Sequence, residues 1–193
     1  NDGSFGVTGD CKELSAEEVE LLENHKFEEI RTLFWRNSNL NFNNPISLIK
    51  SLEEKPQVEW LRKIHECEDE KALKYFLRDK SFENIKFDSK TLNLLWECCQ
   101  IPDFVKNTYG NHYEVIESVF KFLLSEKGKI TDEYMRLQLM KLDKLEGNVD
   151  SLSNRIANVR TWSYVSNKNN WVENQEYWIE KTKLLEDRLS DRL

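Results

Sequence analysis

From Ile46 onward, hydrophobic residues recur at intervals of three and four, the spacing that lines one face of an α-helix. Leu92, Leu95, Trp96 and Cys99 form such a stripe and predict a helix over 89–100, ended before Pro102. Val149, Leu152, Ile156 and Val159 form another. Between them, 111–125 carries Tyr113, Ile116, Phe120 and Leu123 on one side and Val115, Val119 and Phe122 on another. So wide an apolar face predicts a central, mostly buried helix. Further helices are predicted over 46–54, ended by Pro56, over 69–78, from Thr131 to near Gly147, and from Asn174 onward through Trp178, Leu185 and Leu189.

The earlier part of the chain is mixed. Ser15-Ala-Glu-Glu18 is a capping box and predicts a helix over 16–24. Asp2-Gly3 reads as a turn and Phe5 to Thr8 as a short strand, while 30–35 fits a strand or a helical turn equally well. Residues 37–44, rich in Asn and Ser, read as a loop before Pro45. The expected fold class is therefore mainly α: a multi-helix domain over 37–193, preceded by a short mixed α/β segment over 1–36. No repeat of fixed period is visible.

Composition narrows the function classes. Six Trp, ten Phe and six Tyr in 193 residues carry too much apolar area for a disordered chain. A net charge of -7 argues against a general polyanion binder but leaves room for a local basic patch. No apolar run approaches the ~20 residues that span a bilayer, so no membrane partner is expected. Cys11, Cys67, Cys98 and Cys99 have no framework spacing, and the adjacent pair would bond only through a strained ring. Free thiols and a cytoplasmic compartment are the expectation. No signal peptide opens the chain, and 186–193 still reads as helix with no stop signal, so both ends read as cuts in a longer protein.

Autonomous chemistry is hard to find. No Gly-x-x-x-x-Gly-Lys-Ser/Thr loop occurs, and Gly3, Gly6 and Gly9 precede no helix at the distance a phosphate loop requires. His65 and Cys67 lack the second ligand pair a zinc site needs. His25, His65 and His112 are scattered, and no nucleophile elbow accompanies them. The acidic run Glu66-Cys-Glu-Asp-Glu70 reads as the first turn of a helix, where the dipole favours carboxylates.

One feature stands out. The window 151–172 contains no Asp or Glu, although 35 of 193 residues are acidic, and it holds Arg155, Arg160 and Lys168 with Trp162, Tyr164 and Trp171. Cations interleaved with aromatic rings suit a single-stranded nucleic acid, which needs charge at its phosphates and flat faces for its bases. The same rings would serve equally well as core. A second acid-free window, 30–52, carries Arg31, Trp35, Arg36 and Lys50.

Several separated motifs carry a family resemblance. They are Asn1-Asp-Gly-Ser-Phe-Gly-Val-Thr-Gly9, Phe34-Trp-Arg-Asn-Ser-Asn-Leu-Asn-Phe42 and Leu95-Trp-Glu-Cys-Cys-Gln-Ile-Pro-Asp-Phe104. Leu145-Glu-Gly-Asn-Val-Asp-Ser-Leu152, Arg155-Ile-Ala-Asn-Val-Arg-Thr-Trp-Ser-Tyr-Val165, Trp171 and Glu186-Asp-Arg-Leu-Ser-Asp191 continue the series. Together they resemble the C-terminal region of superfamily-two helicases, the alphaproteobacterial relatives of the mitochondrial degradosome RNA helicase. The likeness is weakest over 47–90.

The resemblance implies that 1–36 is the tail of the second RecA-like domain and 37–193 the helical accessory domain. It implies that ATP and Mg²⁺ are bound by motor domains upstream in the same protein, and that this portion binds neither and has no catalytic residue of its own. The implied track is single-stranded RNA, or DNA, held by Arg155, Arg160, Trp162, Tyr164, Lys168 and Trp171; a nuclease is a further partner the resemblance admits. The competing reading is a stand-alone helical module that docks a protein through its aromatic surface, without enzymatic activity.

Overall fold

The computed structural model describes residues 15–26, 32–106 and 109–193, with side chains of the last stretch from His112 onward. The expected turn and strand within 1–10 lie outside these residues, as do Cys11 and Arg31. The chain is mainly helical. Among the described residues it forms α1 (Ala16–Glu23), α2 (Pro45–Glu53), α3 (Glu68–Phe76), α4 (Ser89–Cys99), α5 (Tyr109–Leu124), α6 (Asp132–Leu142), α7 (Val149–Asn167) and α8 (Gln175–Arg192). Two short strands, β1 (Leu33–Trp35) and β2 (Leu61–Lys63), and a 3₁₀ turn at Lys80–Phe82 complete the order.

Most helices begin where a side chain can take the first free amide. Asn44, Asp88, Thr131 and Asn148 each accept from the backbone N–H three residues on, and Pro45 occupies the first turn of α2, where its missing N–H costs nothing. Ser15 and Glu18 close the expected capping box of α1. The α6 helix stops earlier than its pattern suggested, at Leu142, where the N–H of Asp143 still reaches the Leu139 carbonyl.

The core is continuous along the helices. Phe82 lies between Phe76 and Phe120, with ring centroids 5.3 and 5.6 Å away, and Leu92, Leu95, Ile116 and Val119 pack around them. On α5, Ile116, Val119 and Phe120 are fully buried, as its wide apolar face required. Toward the C-terminus, Ile156, Val159 and Val165 of α7 and Leu185 and Leu189 of α8 extend the same cluster.

The segment 30–35, open between strand and turn, resolves into β1. It pairs in parallel with β2, placing Leu33, Phe34 and Trp35 opposite Leu61, Arg62 and Lys63. Nothing in the local pattern of 61–63 announced a strand, because its partner lies almost thirty residues away. The expected boundary after residue 36 follows β1 directly, and the chain is tied across it. Arg36 donates both Nη atoms to Asp69 at 2.9 Å, and its guanidinium carbon lies 5.2 Å from the Trp96 ring centroid. Next to it, Asn37 donates to the Ser51 carbonyl and to Glu54, fixing the loop against α2.

Because Asp69 takes the guanidinium fork, Glu70 is left with a charge contact alone. Its Oε1 is 3.3 Å from Arg36 Nη2, yet neither carboxylate oxygen has a hydrogen-bond donor, and the residue is 1% exposed. Burial raises its pKa; Lys63, Arg36 and Lys74 pull the other way and Asp69 adds to the rise. The native state therefore holds this proton more tightly than the unfolded chain does. Stability then falls as pH rises from the ordinary glutamate pKa through the raised one, with a limiting slope of about 1.4 kcal/mol per pH unit. Urea unfolding of the wild type and Glu70→Gln across that range should show the wild type losing stability relative to the amide, and the difference levelling off above it. A difference independent of pH would mean that Glu70 titrates alike in the folded and unfolded states, and that burial does not raise its pKa.

Candidate nucleic-acid interface

The acid-free window falls on α7 and the loop that leads into α8. Asn148 starts α7 by capping Ser151, and the stripe Leu152, Ile156, Val159 turns that face into the core. Trp162 and Val165 continue it. Trp162 is 4% exposed and meets Tyr134 of α6 edge-on, with centroids 5.9 Å apart. Trp171 is 5% exposed, and its carbonyl accepts the Ile130 N–H at 2.8 Å. Neither indole presents a face to solvent, so the stacking expected of them is not available in this fold.

The cations are also engaged. Arg155 donates Nη1 to the carbonyls of Lys144 and Glu146, the chain just before α7. Its guanidinium lies against Gly147, whose φ of +136° and bare Cα suit the close approach. Arg160 bridges α7 to α8 through Nε and Glu186 at 2.8 Å. Lys168 sits over two rings, its Nζ 5.2 Å from the Tyr164 centroid and 5.6 Å from that of Trp171, a cation–π arrangement. Of the six residues, Tyr164 and Lys168 therefore come together at the surface, and Arg160 reaches it beside them through a paired, half-exposed guanidinium. Trp162 and Trp171 belong to the core, and Arg155 acts as a tie between chain segments.

The loop that buries Trp171 is held from α6. Asp132 accepts the Trp178 indole N–H at 2.7 Å and a hydrogen bond from the Asn174 amide, while its own N–H donates to Glu173. Asn174, in the left-handed region at φ 44°, thus begins α8 without capping it. No motif in the sequence marked Asp132 for this role, since its partners lie more than forty residues on.

Rings that do face solvent lie elsewhere. Among the described residues they include Phe34, Trp60, Tyr75, Phe104 and Tyr177. None belongs to the window, and none sits on a helical stripe that would have marked it as functional.

The described residues contain no group of three or more His, Cys, Asp or Glu side chains placed to hold a metal ion. Cys67, Cys98 and Cys99 are free; burial pushes the Cys98 and Cys99 thiols far above their ordinary range and that of Cys67 upward. Among these residues no helix is long and apolar enough to cross a membrane. No protein-family model, curated protein or solved structure matches the chain.

Packing and surface roles separate by mutation. Trp162→Ala and Trp171→Ala should each cost about 3–5 kcal/mol in chemical denaturation, as large core truncations do. Lys168→Ala, which removes a half-buried cation from over two rings, should cost about 1–2 kcal/mol. Equal losses at Lys168 and Trp162 would contradict this division.

Proposed function

We propose that the chain is the C-terminal accessory portion of an ATP-dependent helicase with RNA as its track. Its helical body holds the translocating single strand against RecA-like motor domains of the same protein, which bind ATP and Mg²⁺ and carry out hydrolysis. The observation that supports this most is the meeting of two distant motifs. Phe34 to Phe42 and Leu95 to Phe104, which carry much of the family resemblance, join where Arg36 lies over Trp96 and forks onto Asp69.

In this reading the motor supplies force and the accessory domain supplies grip. Each cation set against a phosphate releases counterions and strengthens binding at low salt. Arg160 of α7 is exposed and Lys168, just past its end, is half-buried, with Tyr164 between them in sequence. A protein-docking module is the second reading, favoured by exposed Leu137 and Met140 on α6 and Tyr177 and Leu184 on α8.

The parent protein decides between them. The reading frame upstream of Asn1 should run directly into a glycine- and arginine-rich helicase motif; an unrelated domain there sinks the helicase reading. In the parent, Arg160→Ala with Lys168→Ala should weaken strand binding and unwinding and leave basal ATP turnover intact. Unchanged strand binding at low salt would remove α7 from the track.

A further inference from the structure

Two neighbouring carboxylates at the start of α3 differ in their access to water. Asp69 keeps 16% of its side chain exposed, and it accepts from both Nη atoms of Arg36 and from the Glu70 N–H. Glu70 keeps 1%. Among the described residues, Glu70 alone has buried side-chain oxygens with no hydrogen-bond partner. Arg36 Nη2 stands between the two, 2.9 Å from Asp69 Oδ1 and 3.3 Å from Glu70 Oε1.

This arrangement suits a neutral Glu70. A buried carboxylate without a donor is far costlier than the protonated acid, and burial holds the proton on Glu70 above the ordinary glutamate range. The charged and titratable groups that act on it are Arg36 behind β1, Lys63 at the end of β2, Asp69 and Lys74 on α3, and Cys67 just before that helix. Lys74 is already held by Glu53 at 2.8 Å and Glu66 at 2.7 Å. Arg36 is the cation in contact with Glu70.

We propose that Glu70 is a proton-operated selector at the joint between the β1–β2 sheet and the helical body: as the neutral acid it leaves the Arg36 fork on Asp69, and as the carboxylate it draws Nη2 to itself. Ionisation releases the proton to solvent and leaves two carboxylates competing for one guanidinium. Water can replace Nη2 at Asp69, which reaches the surface and keeps the Glu70 N–H; it cannot do so at Glu70. The donor therefore moves to the acid that solvent does not reach. Arg36 directly follows β1 and its guanidinium carbon lies 5.2 Å from the Trp96 ring centroid, so the move is felt on the sheet and on α4 together. The selector goes beyond the helicase reading and does not rest on it.

The test is a pH titration of the uniformly ¹³C,¹⁵N-labelled 193-residue chain by NMR, following the Glu70 side-chain carboxyl carbon and the Trp96 indole N–H, the latter assigned with Trp96→Phe. In the wild type both signals should move with one midpoint, above the ordinary glutamate value of about 4.3. Asp69→Asn, which removes the competitor, should lower that midpoint by about one pH unit or more. Glu70→Gln should abolish the Trp96 response. Arg36→Lys keeps the charge but not the fork, and should abolish it too. The proposal is overturned if Glu70 titrates while Trp96 stays still, or if the Trp96 response survives in Glu70→Gln. A response that survives in Arg36→Lys overturns it as well, since the field of the carboxylate would then suffice. So does a midpoint unmoved by Asp69→Asn. The wild-type titration needs no substitution at Glu70 or Arg36, so a variant that fails to fold leaves the proposal open to refutation.

Discussion

Much of the C-terminal half depends on a single backbone bridge. The Ile130 N–H donates to the Trp171 carbonyl, and the Ile130 carbonyl accepts from the Glu173 N–H, joining the start of α6 to the loop between α7 and α8. Asp132 then clamps Trp178 and Asn174. With the loop pinned at both positions, Trp171 points inward, and α8 returns along α7 with Trp178, Leu185 and Leu189 buried. Lys168 is thereby brought over Tyr164 and Trp171. Losing the bridge would release the register on which all of these contacts rest.

That register explains why a window free of carboxylates is not by itself a sign of nucleic-acid contact. Asp and Glu are absent from α7 beyond Asp150. Ser153, Asn154, Arg160 and Asn167 stay exposed there, whereas seven positions, Leu152, Ile156, Val159, Thr161, Trp162, Val165 and Ser166, are buried. A carboxylate in such positions would be desolvated at a cost of several kcal/mol unless paired. Lack of acid is thus what a buried helix and a basic surface have in common. The two differ in whether the cations are free, and on α7 Arg155 and Arg160 already have partners.

Legibility followed the range of the interactions. Helices were readable because their caps and stripes act over three or four residues, as at Asn148 with Ser151 or Asp88 with Thr91. The short strand β2 was not, because Leu61 has no meaning as a strand until Leu33 lies beside it. The acidic run Glu66 to Glu70 shows both sides of this limit. Glu68, Asp69 and Glu70 do form the first turn of α3, as the helix dipole favours. Their separate fates, however, come from distant residues: Asp69 receives Arg36, Glu66 receives Lys74, and Glu70 is buried without a donor.

The same distinction bears on where a binding surface can lie in this fold. Aromatic rings on a helical stripe are drawn into the core, because burying the stripe is what stabilises an amphipathic helix. Rings that stay outside must occupy positions with no such stripe. Phe34 and Trp60 do so, on or beside a short sheet whose residues alternate between its two faces. Exposing two large rings forfeits the burial energy they would otherwise contribute, about 1.5–3 kcal/mol for a Phe alone. Scattered apolar exposure of this kind is ordinary in a folded chain, so exposure alone does not mark Phe34 or Trp60 as a binding site.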